Sequence, residues 1–295
     1  MRSGLFILCS AIALFALAPG GPAFAGDALQ WPTLDIIPQA SWVTGADVQN
    51  TPGGPGITDG TLRLNLKVTE PITKRLSFAY AHGNIDETLG AAPTYPNVLV
   101  EDLTDDFSLS YTLTKRLNLS AGYFYRHRVC CPAAAAPGNA QPLQVHFVHV
   151  AAGYAFAPIP VVGTTVSLSA GVNQAVAHKT TPLNIQQEDG LPDEGDKATP
   201  NGAVTLTQPI GRPSSGFSAF GTYTYAADYF DSQPIAFWYN IVDYGLNKVV
   251  NKNLSFNADF SNLVQHRQGY PFPDANVIHR AKLVITADIK VGPDL

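Results

Sequence analysis

Beyond residue 25 the sequence contains no long apolar run and no stretch that keeps a helical period. A membrane-spanning helix needs about 20 consecutive apolar residues, so any crossing of a bilayer would have to be made by strands. Charge is scarce as well: Asp, Glu, Lys and Arg make up 14% of the chain, and the formal net charge is −5. A mildly acidic chain offers nucleic acid no electrostatic footing, which excludes that class of partner. Cysteine is limited to Cys9, Cys130 and Cys131. The adjacent pair Cys130-Cys131 can close only a strained ring or stay unpaired.

Residues 1–25 are the exception to the missing apolar runs. Arg2 precedes an apolar run from Leu5 to Ala18, a Pro19-Gly20-Gly21-Pro22 break and then Ala23-Phe24-Ala25. This is the layout of a secretory signal peptide with an A-x-A cleavage site, and the run is short for a spanning helix. Leu8, directly before Cys9, is too bulky for a lipoprotein signal. Export, cleavage near Gly26 and an oxidising compartment are therefore expected.

The clearest pattern after the leader lies between Asp106 and Arg128. Phe107, Leu109, Tyr111 and Leu113 alternate with Ser108, Ser110 and Thr112. After Thr114-Lys115-Arg116, Leu117, Leu119, Ala121, Tyr123 and Tyr125 alternate with Asn118, Ser120 and Gly122. Successive side chains on a strand point to opposite faces, so two such runs across a tight turn predict a hairpin with one apolar and one polar face.

The same period runs through the rest of the chain. Strands are predicted at Ile36–Ala46, where Pro38 belongs at a start or edge, at Leu62–Val68, from Leu76 through Tyr80, and across the hairpin just described. Further strands are predicted at Gln144–Phe156, which has two competing apolar faces, and at Val166–Val172, Gly202–Gln208 and Phe217–Tyr225. The last three are Ile235–Leu246, whose phase slip suggests a bulge, Leu254–Ser261 and His279–Lys290. Connections after even-numbered strands are short, and the others are on average longer and richer in Pro, Gly, Asn and Asp. An even number of antiparallel strands joined by short periplasmic turns and long outer loops is the layout of a bacterial transmembrane barrel. The expected fold is all-β, a closed antiparallel up-and-down transmembrane β-barrel of twelve strands over residues 36–291, after a lead-in at 26–35 and before a tail at 292–295.

A soluble β-sandwich would also alternate, but its polar face meets bulk water and is normally rich in charge. Here many polar faces carry Ser, Thr, Asn and Gly, which suit a confined wet lumen, while Leu, Val, Phe and Ala suit lipid. Tyr80, Tyr123, Tyr125, Tyr223 and Tyr225 all sit at the strand end nearest a long loop. Tyrosine bridges apolar and wet zones, so these residues read as an aromatic girdle at the outer interface.

The units T-K-R-L-S-F-A-Y (Thr73 to Tyr80), T-K-R-L-N-L-S-A-G-Y (Thr114 to Tyr123) and N-K-N-L-S-F-N-A-D-F (Asn251 to Phe260) resemble those of Gram-negative outer-membrane β-barrel proteins of the porin and transporter kind. The resemblance is one of superfamily pattern across most of the chain after the leader. It implies a channel or transporter in the outer membrane, with lipid around it and small solutes inside. One departure is Leu295, where such proteins usually end in an aromatic residue. Barrel phospholipases and lipid A deacylases resemble one another in an H-x-S-like spacing, and barrel proteases in an Asp-x-His couple. Neither spacing occurs here, so no enzyme and no cofactor are expected.

The polar phase supplies the candidate pore-lining residues: Arg63, Lys67, Arg126, Arg128, Asp259, Arg280, Lys282, Asp288 and Lys290. Basic residues along a lumen favour anionic solutes, and the same residues can equally pair with lumenal acids and fill space. Twelve strands lie between the eight that side chains fill and the sixteen of open porins, so a constricted pore is expected. Six of the seven histidines fall near outer strand ends, with His127/His146 and His266/His279 expected to face each other across hairpins. His127, His146, Cys130 and Cys131 have metal-ligand chemistry, beside a plainer reading as polar residues of the rim. The acids Glu188, Asp189, Asp193, Glu194 and Asp196 lack the order of a calcium loop and read as a solvated outer loop. The competing function is a plugged barrel whose outer loops bind a partner or surface ligand.

Overall fold

The computed structural model describes residues 32–48, 58–89, 98–129, 143–178, 198–229, 236–268 and 277–292. The leader, Cys130, Cys131 and the acidic stretch 188–196 lie outside the described residues.

Twelve strands follow one another: β1 Thr33–Val48, β2 Thr58–Pro71, β3 Leu76–Leu89, β4 Val98–Thr112, β5 Leu117–Val129, β6 Leu143–Ala155, β7 Thr165–His178, β8 Thr199–Ile210, β9 Phe217–Tyr229, β10 Ala236–Asn251, β11 Leu254–Gln268 and β12 Val277–Val291. Each pairs antiparallel with its neighbours in sequence, and β1 pairs with β12 to close the ring. Closure matters physically because it leaves no strand with a row of unpaired backbone groups. The short connections, 72–75, 113–116, 156–164, 211–216 and 252–253, all lie at one end, together with the start of β1 and the end of β12.

Residues directly opposite each other on paired strands share a face, so the register sorts the barrel into an outside and an inside. On one face the row Leu66, His82, Asp105, Tyr125 and His146 crosses β2 to β6, and beside it runs Val68, Tyr80, Phe107, Tyr123 and Val148. That face also carries the exposed Trp42, Leu62, Leu64, Phe107, Leu168, Val204, Leu206, Tyr244, Leu246, Phe256, Phe260, Ile285 and Ile289. Such a belt on a closed barrel is its outer wall. The other face, Ser108, Ser110, Ser120, Ser167, Ser169, Thr205, Thr222 and their row-mates, lines the lumen.

Three local expectations are decided by this register. Strand β6 presents His146, Val148, Val150 and Ala152 outward, while Phe147 and His149 face the lumen. No bulge interrupts the expected slip in β10: its pairing with β11 runs unbroken from Ala236 to Val249. The phase is mixed in sequence because apolar Tyr239 and Ile241 occupy lumenal positions while Asn240 faces outward. Pro38 sits inside β1, on the outer face opposite Leu64. On the β12 side the pairing passes from Ile36–Ile289 directly to Gln39–Thr286. The ladder is interrupted where proline has no N–H to give.

Small residues dent the outer wall. Ala152, Ala170 and Gly202 form one row across β6, β7 and β8, and together with Leu117, Tyr154, Leu168, Val204, Tyr223 and Tyr225 they surround a recess of about 410 Å³.

Candidate functional site: the lumenal wall

The strand period places the polar phase of every strand on one continuous inner surface, and that surface is chemically uneven around the ring. Across β12, β1 and β2 it is densely charged. Asp35 lies opposite Lys67 on one side and Lys290 on the other. The Lys290 ammonium is 3.9 Å from Asp288 Oδ2. Farther along β2, Gln39 lies opposite Arg63, whose Nε donates to Asn65 Oδ1 at 2.8 Å. The neighbouring Gly83 makes room for that pair. A Cβ there would lie 2.7 Å from Asn65 Oδ1 and 2.6 Å from Thr104 Oγ1.

Across β10 and β11 the charge is acidic. Asp259 is only 8% exposed and accepts a hydrogen bond from Asn257 Nδ2 at 3.2 Å. Asp243 is diagonal to it, since Asp243 pairs with Ser261 and Gly245 with Asp259. Ser41, Val284 and Asp259 form one buried row over β1, β12 and β11, and Tyr239 on β10 is 0% exposed. Side chains facing inward yet closed to solvent must be covered by their lumenal neighbours, so this sector of the wall is thick.

A third cluster lies on β4, β5 and β6. His149 Nε2 is 3.1 Å from Asp106 Oδ1, although the two residues belong to strands separated by β5. The imidazole crosses above Gly122, its direct register partner. A Cβ at Gly122 would overlap the His149 ring and lie 2.6 Å from the Phe107 carbonyl oxygen. Phe124 and Phe147, also register partners, stack beside this pair with ring centroids 4.5 Å apart. Arg126 follows on the same face of β5.

In the sector β7 to β9, half-way round the ring from β1 and β2, the one Asp, Glu, Lys or Arg at a lumenal position among the described residues is Asp228, placed by its backbone opposite Phe237 near the end of β9. The sector presents Ser167, Ser169, Asn173, Asn201, Thr205, Thr207, Thr222 and Thr224, with Thr205 and Thr222 hydroxyls 3.0 Å apart.

All nine candidate pore-lining residues occupy lumenal positions by register. For Arg128 and Arg280 the placement is that of the backbone alone. The structure gathers Lys67, Lys290 and Asp288 near Asp35, leaves Arg126 on a different wall, and sets Asp259 beside Asp243. Sequence reasoning missed Asp35, Asp106, Asp243, His149 and the Phe124–Phe147 stack as lumenal features. Asp35 was readable, since it shares the parity of Gln39 and Ser41 on β1, whereas the mixed phase of β10 hid Asp243. His149 was hidden by the two competing faces of β6.

By register His82, His127, His146, His266 and His279 fall on the outer face, while His178, opposite Val145, falls on the lumenal phase. His127 pairs with Gln144 and His146 with Tyr125, so the two are staggered and not opposite. His279 pairs with Val264 and His266 with Val277, the same stagger. The cause is register: each pair is offset by two residues, which keeps them on one face without bringing them level. On that outer face Tyr80 donates to Asp105 Oδ1 at 2.7 Å, and His82 Nδ1 lies 2.9 Å from the same oxygen. Tyr123 hydrogen-bonds His146 Nδ1, and Tyr125 packs against the same ring. The imidazoles of His82 and His146 are thus engaged by aspartate and tyrosine, and that of His266 stacks on Trp238. No group of three or more His, Cys, Asp or Glu that could hold a metal occurs among the described residues.

No protein-family model matches the chain. No curated protein matches it in sequence. Among solved structures it is similar to an outer-membrane channel from Pseudomonas putida F1, with 13% identity and a TM-score of 0.50 over 92% of this chain and 99% of that one. The NanC porin matches with 9% identity and a TM-score of 0.48 over 88% and 100%. The translocator domain of the autotransporter NalP from Neisseria meningitidis matches with 10% identity and a TM-score of 0.46 over 96% and 95%. At such identities the likeness to the channel is one of fold: a closed antiparallel β-barrel.

Proposed function

We propose that this protein is an outer-membrane channel or transporter, non-enzymatic, that passes small polar solutes, anions among them, through a narrow lumen. The observation that carries the reading is the division of one closed twelve-stranded wall into an exposed apolar outside and an inside of hydroxyls, amides and charges. Lipid accepts the first surface and only water or solute accepts the second. Many of the hydroxyl-bearing lumenal side chains, Ser108, Ser110 and Ser120 among them, are half-exposed, which is what an inner surface open to water looks like.

The reading includes export by the leader and short turns facing the periplasm. Anions would run along the wall formed by β12, β1 and β2, where Arg63, Lys67, Lys282 and Lys290 outnumber Asp35 and Asp288. The acids on β10 and β11 moderate that preference. Planar-bilayer recording of the refolded protein tests the proposal: discrete conductance steps, with a reversal potential favouring anions in a salt gradient, are expected. A folded barrel that conducts nothing and admits no solute to liposomes would overturn it in favour of a plugged barrel acting through its outer loops.

A further inference from the structure

Four of the five short turns, 72–75, 113–116, 211–216 and 252–253, carry a basic residue: Lys74 and Arg75, Lys115 and Arg116, Arg212, and Lys252. The fifth, joining β6 to β7, carries none. Its sequence Phe156-Ala157-Pro158-Ile159-Pro160-Val161-Val162-Gly163-Thr164 has no charge, and Phe156, Ile159, Val161 and Val162 are all exposed, Val161 fully so at 105%. Val161 also has a φ of 78°, in the left-handed region that a β-branched side chain avoids. The conformation that holds this valine exposed is fixed by hydrogen bonds from Ile159 N to Thr164 O at 2.8 Å and from Gly163 N to Ile159 O at 2.9 Å.

The turn also has a direction. Gln208 lies on the outward phase of β8, opposite Ala219. Its Nε2 donates to the Val162 carbonyl at 3.0 Å, and its Oε1 accepts from the Thr164 hydroxyl. The turn is therefore drawn toward the outer wall and away from the lumen mouth. There its apolar side chains continue the exposed belt: Phe156 packs edge-on against Tyr154, with centroids 4.9 Å apart, and Leu168, Leu206 and Ile210 lie on the same sector.

We propose that the β6–β7 turn is a lipid anchor, with Ile159, Val161 and Val162 inserted at the headgroup boundary of the bilayer leaflet on the short-turn side. The inference rests on the reading of the barrel as membrane-spanning. Exposed apolar side chains, without a charge to keep them in water, are continuous with the lipid-facing belt, and bilayer lipid is the occupant that already covers that belt. The basic turns stand off at the aqueous side, so the barrel is seated asymmetrically, deeper at β6–β7 than elsewhere along this rim.

The test places the environment-sensitive fluorophore NBD on single cysteines in a chain whose Cys9, Cys130 and Cys131 are replaced by Ser. The sites are Val161→Cys and Ile159→Cys in the turn, Leu168→Cys in the belt and Lys115→Cys in a basic turn. Each variant is checked for folding by heat-modifiable gel migration and reconstituted in phosphatidylethanolamine/phosphatidylglycerol vesicles. Blue-shifted emission from the turn sites, quenched by lipids with a nitroxide near the headgroup and protected from iodide, is expected. Iodide quenching equal to that at Lys115→Cys overturns the anchor, as does protection from both quenchers, which would mean a protein partner. Iodide access at Leu168→Cys would instead sink the membrane-spanning reading itself. Ile159→Cys keeps the test alive if the strained Val161 position does not tolerate substitution.

Discussion

Gly122 shows how a single missing side chain shapes the lumen. It sits inside β5, where glycine costs stability by itself. Its absence of a Cβ is what lets His149 lie over β5 and meet Asp106. Gly122→Val is expected to lower stability by about 1–3 kcal/mol through overpacking and to separate the imidazole from the carboxylate. Gly153 is the control. It is also lumenal, but a Cβ there has only the Leu168 carbonyl oxygen as neighbour, at 3.9 Å, so Gly153→Ala should be nearly silent. Urea unfolding of both variants in lipid vesicles checks the contrast, and equal midpoints would refute it. In sequence Gly122 is legible only as one more small residue of a polar phase. Its importance depends on a histidine 27 positions further on, and only the register brings the two together.

At the scale of elements, the repeated T-K-R-L unit turns out to be one turn used twice. In the first, the backbone N–H groups of Ile72 and Thr73 both donate to the Leu76 carbonyl at 2.9 Å, and Thr73 Oγ1 accepts from the N–H groups of Arg75 and Leu76 at 3.2 and 3.0 Å. In the second, Leu113 and Thr114 do the same with Leu117, and Thr114 Oγ1 accepts from Arg116 and Leu117 at the same two distances. A hydroxyl that accepts backbone donors in a turn is a local arrangement, which is why the unit could be recognised without knowing the fold. Thr73→Ala and Thr114→Ala should each cost about 1 kcal/mol, the usual net worth of such hydrogen bonds. Thr→Ser at either position should recover most of it. Denaturant midpoints of the four variants measure this, and an alanine variant as stable as the parent would remove the turn from the list of stabilising features. Strand β10 gave the opposite lesson. Apolar residues on both of its faces imitate a bulge, because periodicity reports apolarity and cannot say whether Tyr239 is buried by lipid or by its lumenal neighbours.

For the whole molecule the decisive contact is the seam between β1 and β12, the strands farthest apart in sequence. Ala40 and Ile285 are register partners across it, both on the outer face. With the native cysteines replaced by Ser, the pair Ala40→Cys and Ile285→Cys should cross-link on oxidation and migrate differently in boiled, non-reduced gels. The pair Ala40→Cys and Leu168→Cys, on strands half a ring apart, should not. Failure of the first pair to cross-link in folded protein would mean the seam is open. Charge is also a property of the assembled ring. Arg63→Gln with Lys67→Gln removes two of the bases that face Gln39 and Asp35 and leaves the acids in place. The reversal potential is expected to move toward cations, and an unchanged potential would show that β2 does not border the ion path.

The sequence by itself determined the strand count, the two faces of most strands, the short and long ends and the tight turns. All of these follow from interactions between residues a few positions apart: alternation along one strand, and side-chain hydrogen bonds within one turn. Tertiary structure decided what no local pattern contains. It set which lumenal charges become neighbours, how far the rim histidines are staggered, which face of β6 looks inward and where the turn between β6 and β7 leans. Those outcomes depend on register across strands and on closure of the ring, and each is fixed by hydrogen bonds, of the backbone or, for the turn, of the Gln208 side chain, between segments that are distant in the chain.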